Sequence, residues 1–185
     1  MDMRGERILP ADRATVWSLL NDPEILRQCV PGCESLVATA EHSYDVAMTA
    51  AVGPVRARFK GKLSLADIEA PLRYRLLFDG QSSQAGFARG EATVELLELA
   101  ADQTKLSYTA KSQIGGKLAQ IGGRLIDAAA AATADKFFEA FAGKLPAPAV
   151  PPADRPAAAA AAEPRRAGFA GWVLAFLRHL FGRKA

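Results

Sequence analysis

Histidine and cysteine are scarce in this chain. Its 185 residues hold two of each: His42, His179, Cys29 and Cys33. Nucleophilic catalysis needs a base beside the nucleophile. His42 lies in the polar turn Glu41-His42-Ser43 and reads as a solvated loop residue, while His179 falls near the C-terminal end. A catalytic triad is therefore not expected. Cys29-Val30-Pro31-Gly32-Cys33 offers metal-ligand residue types, but zinc would need further thiolate or imidazole ligands and none lies nearby in sequence. The plainer reading is two small residues packed around a Pro-Gly turn; a redox or metal role is the other. Two cysteines cannot build a disulfide scaffold, so a reducing compartment is the expectation. The start, Met1-Asp2-Met3-Arg4-Gly5-Glu6-Arg7, is charged and has no apolar stretch behind it, so no secretory signal is expected. No run reaches the roughly 18 apolar residues of a spanning helix. The glycine-rich run Gly115–Gly123 lacks the spacing of a phosphate-cradling loop.

An excess of basic residues is also missing from the body of the chain. Residues 1–145 carry 17 Lys/Arg against 18 Asp/Glu, whereas residues 146–185 carry 6 against 2. The formal net charge of +3 belongs to the tail. A nucleic-acid-binding fold carries its basic footprint on the folded surface, so no nucleic-acid partner is expected.

What is present is clear periodicity. Residues 3–9 read as a short strand. Pro10-Ala11-Asp12 leads into a helix with Asp12 as its N-cap and Ala14, Val16, Trp17, Leu19 and Leu20 on its apolar side. Pro23 opens a second short helix running to Gln28. From Glu34 to about Ile114 the period is two. Tyr44, Val46, Met48, Ala50 and Val52 alternate with small or polar residues, and Gly53-Pro54 makes a turn. Val55, Ala57, Phe59, Gly61, Leu63 and Leu65 then alternate with Arg56, Arg58, Lys60, Lys62 and Ser64, as in a half-buried antiparallel strand. Further strands fit Leu72–Asp79, Gly86–Leu99 and Lys105–Ile114, which suggests one curved antiparallel sheet. Beyond a glycine-punctuated stretch, Leu125, Ala129, Thr133, Phe137 and Phe141 recur at spacing four, and Ala128–Ala132 has high helix propensity. A long helix of this kind would lie across the sheet and could leave a cavity beneath its small residues. The fold class expected is α+β.

Residues 146–166 are a different material. Six prolines and nine alanines fill 15 of these 21 positions. Such a composition reads as a linker, reaching roughly 25 Å as a coil or about 65 Å as polyproline. Residues 167–185 return to a helical pattern. Phe169, Trp172, Val173, Phe176, Leu177 and Leu180 share one face, with Phe181 beside them; Arg165 and Arg166 precede and Arg183 and Lys184 follow. The uninterrupted apolar stretch Ala167–Leu177 is 11 residues. As helix it spans about 17 Å, short of the roughly 30 Å hydrocarbon core. It suits the interface of an anionic membrane, with the cations meeting headgroups. A protein groove is the alternative partner for an amphipathic helix.

In the body, the chemistry that remains is apolar. Met48, Phe59, Tyr74, Phe78, Phe87, Tyr108, Leu118, Ile121, Leu125 and Ala129 are either plain core or the lining of a cavity for a lipophilic ligand.

Taken in order, Pro31-Gly32-Cys33-Glu34-Ser35, Gly53-Pro54-Val55, Phe59-Lys60-Gly61, Ala85-Gly86-Phe87-Ala88-Arg89-Gly90, Gly115–Gly122 and Phe137-Phe138 resemble the CoxG-like family of carbon monoxide dehydrogenase subunits. That family sits within the START/Bet v 1-like (SRPBCC, helix-grip) superfamily. The resemblance covers most of residues 1–145. It implies a curved antiparallel sheet gripping a long C-terminal helix, with two short helices after the first strand. It also implies a non-catalytic accessory protein of a molybdenum hydroxylase of carbon monoxide dehydrogenase type, attached peripherally to the inner face of the cell membrane. No covalent cofactor and no metal are implied. The cavity ligand implied is a membrane quinone, menaquinone or ubiquinone, to be bound or shuttled. A ligand-free adaptor or maturation factor, or a cyclase-like enzyme of the same fold, are the alternatives.

Overall fold

A computed structural model describes residues 1–146. The expected linker beyond Pro146 and the expected anchor positions from Arg165 to Lys184 lie outside the described residues.

The first strand, β1 (Asp2–Leu9), is followed by two short helices, α1 (Arg13–Leu20) and α2 (Pro23–Cys29). Both start where capping chemistry dictates. The Asp12 carboxylate accepts from the Thr15 amide at 2.9 Å, and Asp22 accepts from the Glu24 and Ile25 amides at 2.9 and 3.3 Å. These contacts satisfy amide groups that the first helical turn leaves without partners. Pro23 occupies the first turn, where its missing N–H costs nothing. The chain then runs through six antiparallel strands: β2 (Cys33–Ala40), β3 (Ser43–Val52), β4 (Val55–Glu69), β5 (Arg73–Ser82), β6 (Gly86–Ala100) and β7 (Gln103–Gly115). All seven strands form one open sheet in the order β1-β7-β6-β5-β4-β3-β2. A 3₁₀ segment, Gly116–Ile121, leads into α3 (Gly123–Ala142). The glycine-punctuated stretch is thus a 3₁₀ segment, and the α-helix beyond it is continuous.

Two apolar clusters hold the helices to the sheet. At one end Leu9, Val16, Leu20, Cys29, Leu96, Leu106, Phe138 and Phe141 pack together, with Phe141 and Val16 fully buried. Thr104 is the one buried polar residue among the described residues, and its hydroxyl donates to the Ala11 carbonyl at 2.8 Å. At the other end Ala57, Phe59, Ala85 and Leu118 form a smaller cluster, flanked by Met48, Val52, Val55, Ile114 and Ile121. The 3₁₀ segment crosses β6 here at close range. Gly86 and Gly116 have φ of 107° and 76°, and a Cβ on Gly116 would sit 2.6 Å from the Gly86 Cα. Only glycine fits both the backbone angle and the gap.

Over the first half of α3 the helical stripe is offset by one residue from the expected one, while Phe137 and Phe141 of the expected stripe do pack into the larger cluster. Ile126, Phe138 and Phe141 are buried in α3, whereas Thr133 is exposed and Leu125 is 50% exposed. Ile126, Ala130, Ala134 and Phe138 form the row that faces inward. The aromatic end decides the rotation: Phe137 and Phe138 must both reach the first cluster, and this turns Thr133 outward.

Candidate functional site

The inner face of the sheet follows from register, because antiparallel partners point to the same side. Phe59 opposes Met48, Leu63 opposes Phe78, and Phe78 opposes Gly90. Between the two packed clusters lie three cross-strand rows. The first is Val46, Gly61, Gly80, Ala88 and Ile114; the second is Tyr44, Leu63, Phe78, Gly90 and Ser112; the third is Leu65, Leu76, Ala92 and Ala110. Every residue in these rows keeps partial access to solvent, and none is buried. Side-chain size explains this. Three glycines and three alanines stand in the sheet rows, and the helix stretch between the clusters, Asp127–Ala134, has nothing larger than Thr133 after its first residue. Both walls are built of small residues here, and the apolar strip between the two clusters, accessible along its length, is the candidate groove.

The groove's chemistry is simple. The only polar side chains in the three rows are the hydroxyls of Tyr44 and Ser112. One charged side chain stands at the border: Arg7 pairs with Asp135 of α3 and its guanidinium lies 5.2 Å from the centre of the Phe138 ring. A mainly apolar wall with a few hydroxyl contacts is the usual composition of a small-molecule pocket. Such a wall suits an apolar body, and among the described residues no acid–base pair stands in these rows.

The sequence-predicted residues divide among several places. Phe78 stands in the middle row, and Ala129 is half-buried in the central part of α3. Phe59 and Leu118 are buried in the smaller cluster, with Met48 and Ile121 packed on it; they close one end of the groove. Tyr108 stacks on Phe138 at 5.5 Å, and Tyr74 meets Trp17 edge-on at 5.6 Å; both build the other end. Burial pushes the Tyr74 phenol well above the ordinary tyrosine range. Leu125 is half-exposed at the start of α3.

Phe87 corrects the expectation. It pairs with Gln81 and Gly115, one residue out of step with Ala88, and therefore lies on the outer face. There its ring covers Gly115 and carries the Arg89 guanidinium at 5.3 Å. Two shallow depressions, of about 530 and 440 Å³, share Asp79 and Arg89 on that outer surface. Their lining mixes the charged Asp79 and Arg89 with apolar surface. Of the residues in the three rows the sequence reading named only Phe78 as lining; the larger ones it left out are Tyr44, Val46, Leu63, Leu65, Leu76 and Ile114. Their signal was the unbroken period of two in each strand, combined with the register.

The two thiols are free. Cys29 is buried at the end of α2, and Cys33 opens β2 with its Sγ 3.6 Å from the Ser35 carbonyl. Desolvation raises both thiols above their ordinary value. His42 sits exposed in the β2–β3 turn at φ 58°, 3.6 Å from Glu41. Among the described residues no group of three His, Cys, Asp or Glu could hold a metal ion. Among them, too, no helix is long and apolar enough to cross a membrane.

An open antiparallel sheet that grips a C-terminal helix over an accessible apolar face defines a START-like domain. Solved structures agree. A START superfamily protein from Mycobacterium smegmatis has a TM-score of 0.60 at 14% identity, covering 77% of this chain and 95% of its own. An aromatase/cyclase from Streptomyces has 0.57 at 15%, covering 78% and 92%. A conserved protein from Geobacillus kaustophilus has 0.74 at 30%, covering 78% and 94%. Residues 5–146 match the model of the CoxG family of carbon monoxide dehydrogenase subunits, and the chain belongs to that family. No curated protein matches it. Family and fold together support an accessory or ligand-binding role. The fold alone does not choose between binding and catalysis, since one of its solved members is a cyclase.

Proposed function

We propose that the protein is a non-catalytic accessory subunit of a molybdenum hydroxylase of carbon monoxide dehydrogenase type. In this reading it works at the inner face of the cytoplasmic membrane and carries an apolar ligand, a membrane quinone, in the groove between the sheet and α3. The observation that carries this reading is the set of three inner-face rows left accessible under a helix of small residues. A ring with an isoprenoid tail matches an apolar wall, and the Tyr44 and Ser112 hydroxyls could donate to ring carbonyls. The Arg165–Lys184 segment would tether the domain to anionic lipid. The Pro/Ala-rich stretch before it would let the domain range over tens of ångströms, raising its effective concentration near both pool and enzyme.

The test is native purification of the full chain from cells, followed by solvent extraction and mass spectrometry. A co-purified quinone is expected; an empty protein that also fails to take up added quinone would sink the reading. Ending the chain at Leu145 is expected to release it from anionic liposomes. Undiminished co-sedimentation of that shortened protein would rule out the tail as anchor.

A further inference from the structure

The near-neutral charge of residues 1–145 conceals a strong segregation. Residues 46–61, 80–90 and 113–128 meet at one end of the sheet, as the pairings of Gly61 with Gly80, Phe87 with Gly115 and the Leu118 amide with the Ala85 carbonyl show. These three segments carry six basic residues, Arg56, Arg58, Lys60, Arg89, Lys117 and Arg124, against one acid, Asp127. The rest of residues 1–145 carries 11 basic and 17 acidic residues. Arg58 is tied to Glu34 at 2.6 Å. Arg56, Lys60, Lys117 and Arg124 make no ion pair among the described residues.

This end also projects apolar groups. The β3–β4 turn at Gly53-Pro54 lies against the junction of the 3₁₀ segment and α3, where a methyl on Gly53 would touch Ile121 and Leu125 at 3.7 Å. Leu125 is 50% exposed, and Pro54, Ala51 and Ala119 are exposed around it. Exposed apolar side chains on two adjoining turns, with unpaired cations in the same segments, match a surface that is anionic outside and apolar just beneath.

We propose that this basic end of the folded domain itself docks on an anionic lipid surface, with Leu125 and Pro54 entering the headgroup layer. The proposal rests on the reading of a membrane-associated protein, but it assigns a second contact that is independent of the tail. It places the smaller cluster, and with it one end of the groove, against the bilayer. The acidic remainder of the domain then faces away from the membrane.

Hydrogen exchange read by mass spectrometry tests it on the full chain, with vesicles of phosphatidylcholine alone or mixed with phosphatidylglycerol. Protection of peptides spanning 51–56 and 117–126 on the anionic vesicles only is expected. Protection confined to 167–185 would overturn the proposal while leaving tail anchoring intact; protection at 51–56 and 117–126 without the tail would do the reverse. Replacing Lys117→Ala and Arg124→Ala together should weaken vesicle binding about 25-fold, at about fivefold for each basic side chain near an anionic surface. Unchanged affinity in that double variant would overturn it. So would protection of these turns by a hydroxylase partner but not by vesicles, which would assign the basic end to an acidic protein surface.

Discussion

Ala130→Leu tests whether the space under α3 is a groove or a filled core. Ala130 stands on the inward row of α3 between Ile126 and Ala134, and it is only half-buried. Leucine adds three carbons, worth about 2 kcal/mol if fully withdrawn from water at about 0.8 per methylene. Partial access halves that figure, and the change in helix propensity removes a few tenths. The expected net is a stabilisation of about 0.5–1 kcal/mol, which raises the Tm of a domain this size by about 2–5 °C. A filled core gives the opposite sign, because an overpacked side chain costs about 1–3 kcal/mol. Thermal unfolding followed by far-UV circular dichroism separates the two. A Tm fall of about 4 °C or more would refute the groove. The same variant should lose co-purified ligand, because the new side chain occupies its place.

Three further outcomes follow from the packing. Phe141→Ala removes a side chain with no exposure from the larger cluster and should cost about 3–5 kcal/mol in denaturant unfolding. Thr104→Val keeps the shape but strands the Ala11 carbonyl, so about 1–2 kcal/mol is expected, measured the same way. The thiols should alkylate slowly at neutral pH, Cys29 more slowly than Cys33, since it is the more buried. Because desolvation raises both folded values, their contribution to stability is complete below about pH 8.5 and declines as pH rises through the raised values. Stability that increased above that range would contradict the burial of Cys29.

Much of this was written in side-chain period. The alternation from Val55 to Leu65 fixed which face of β4 is inner, and Asp12 and Pro23 marked both short helices, as the structure shows. Phe87 was misplaced because its strand opens with Gly86, Ala88 and Gly90 on the inner face. Small residues there gave no apolar contrast, and the one large ring stood out on the wrong side. In α3 the alanine run made the neighbouring stripes at Leu125 and Ile126 indistinguishable. Only docking of Phe138 and Phe141 on the far cluster selects between them. The lining of the groove was hardest to see, since it is defined by residues too small to fill it. Tyr74 and Tyr108, which look like ligand contacts by type, are engaged by Trp17 and Phe138 instead.

The strand order has a consequence for how the chain reaches this state. Strands β2 to β7 form a simple meander, each pairing with its sequence neighbour, so they can zip up locally. β1 is different: Asp2 pairs with Lys111, and Leu9 with Thr104. Among the described residues β1 pairs only with β7, about a hundred residues later, and closing so long a loop is slow compared with hairpin formation. Until β7 emerges, β1 and the apolar side of α1 have no sheet to join. β1 can therefore join the ladder only once β7 has been made, and the larger cluster, which needs Leu9, Leu106 and Phe141 together, can close only after nearly the whole domain is present.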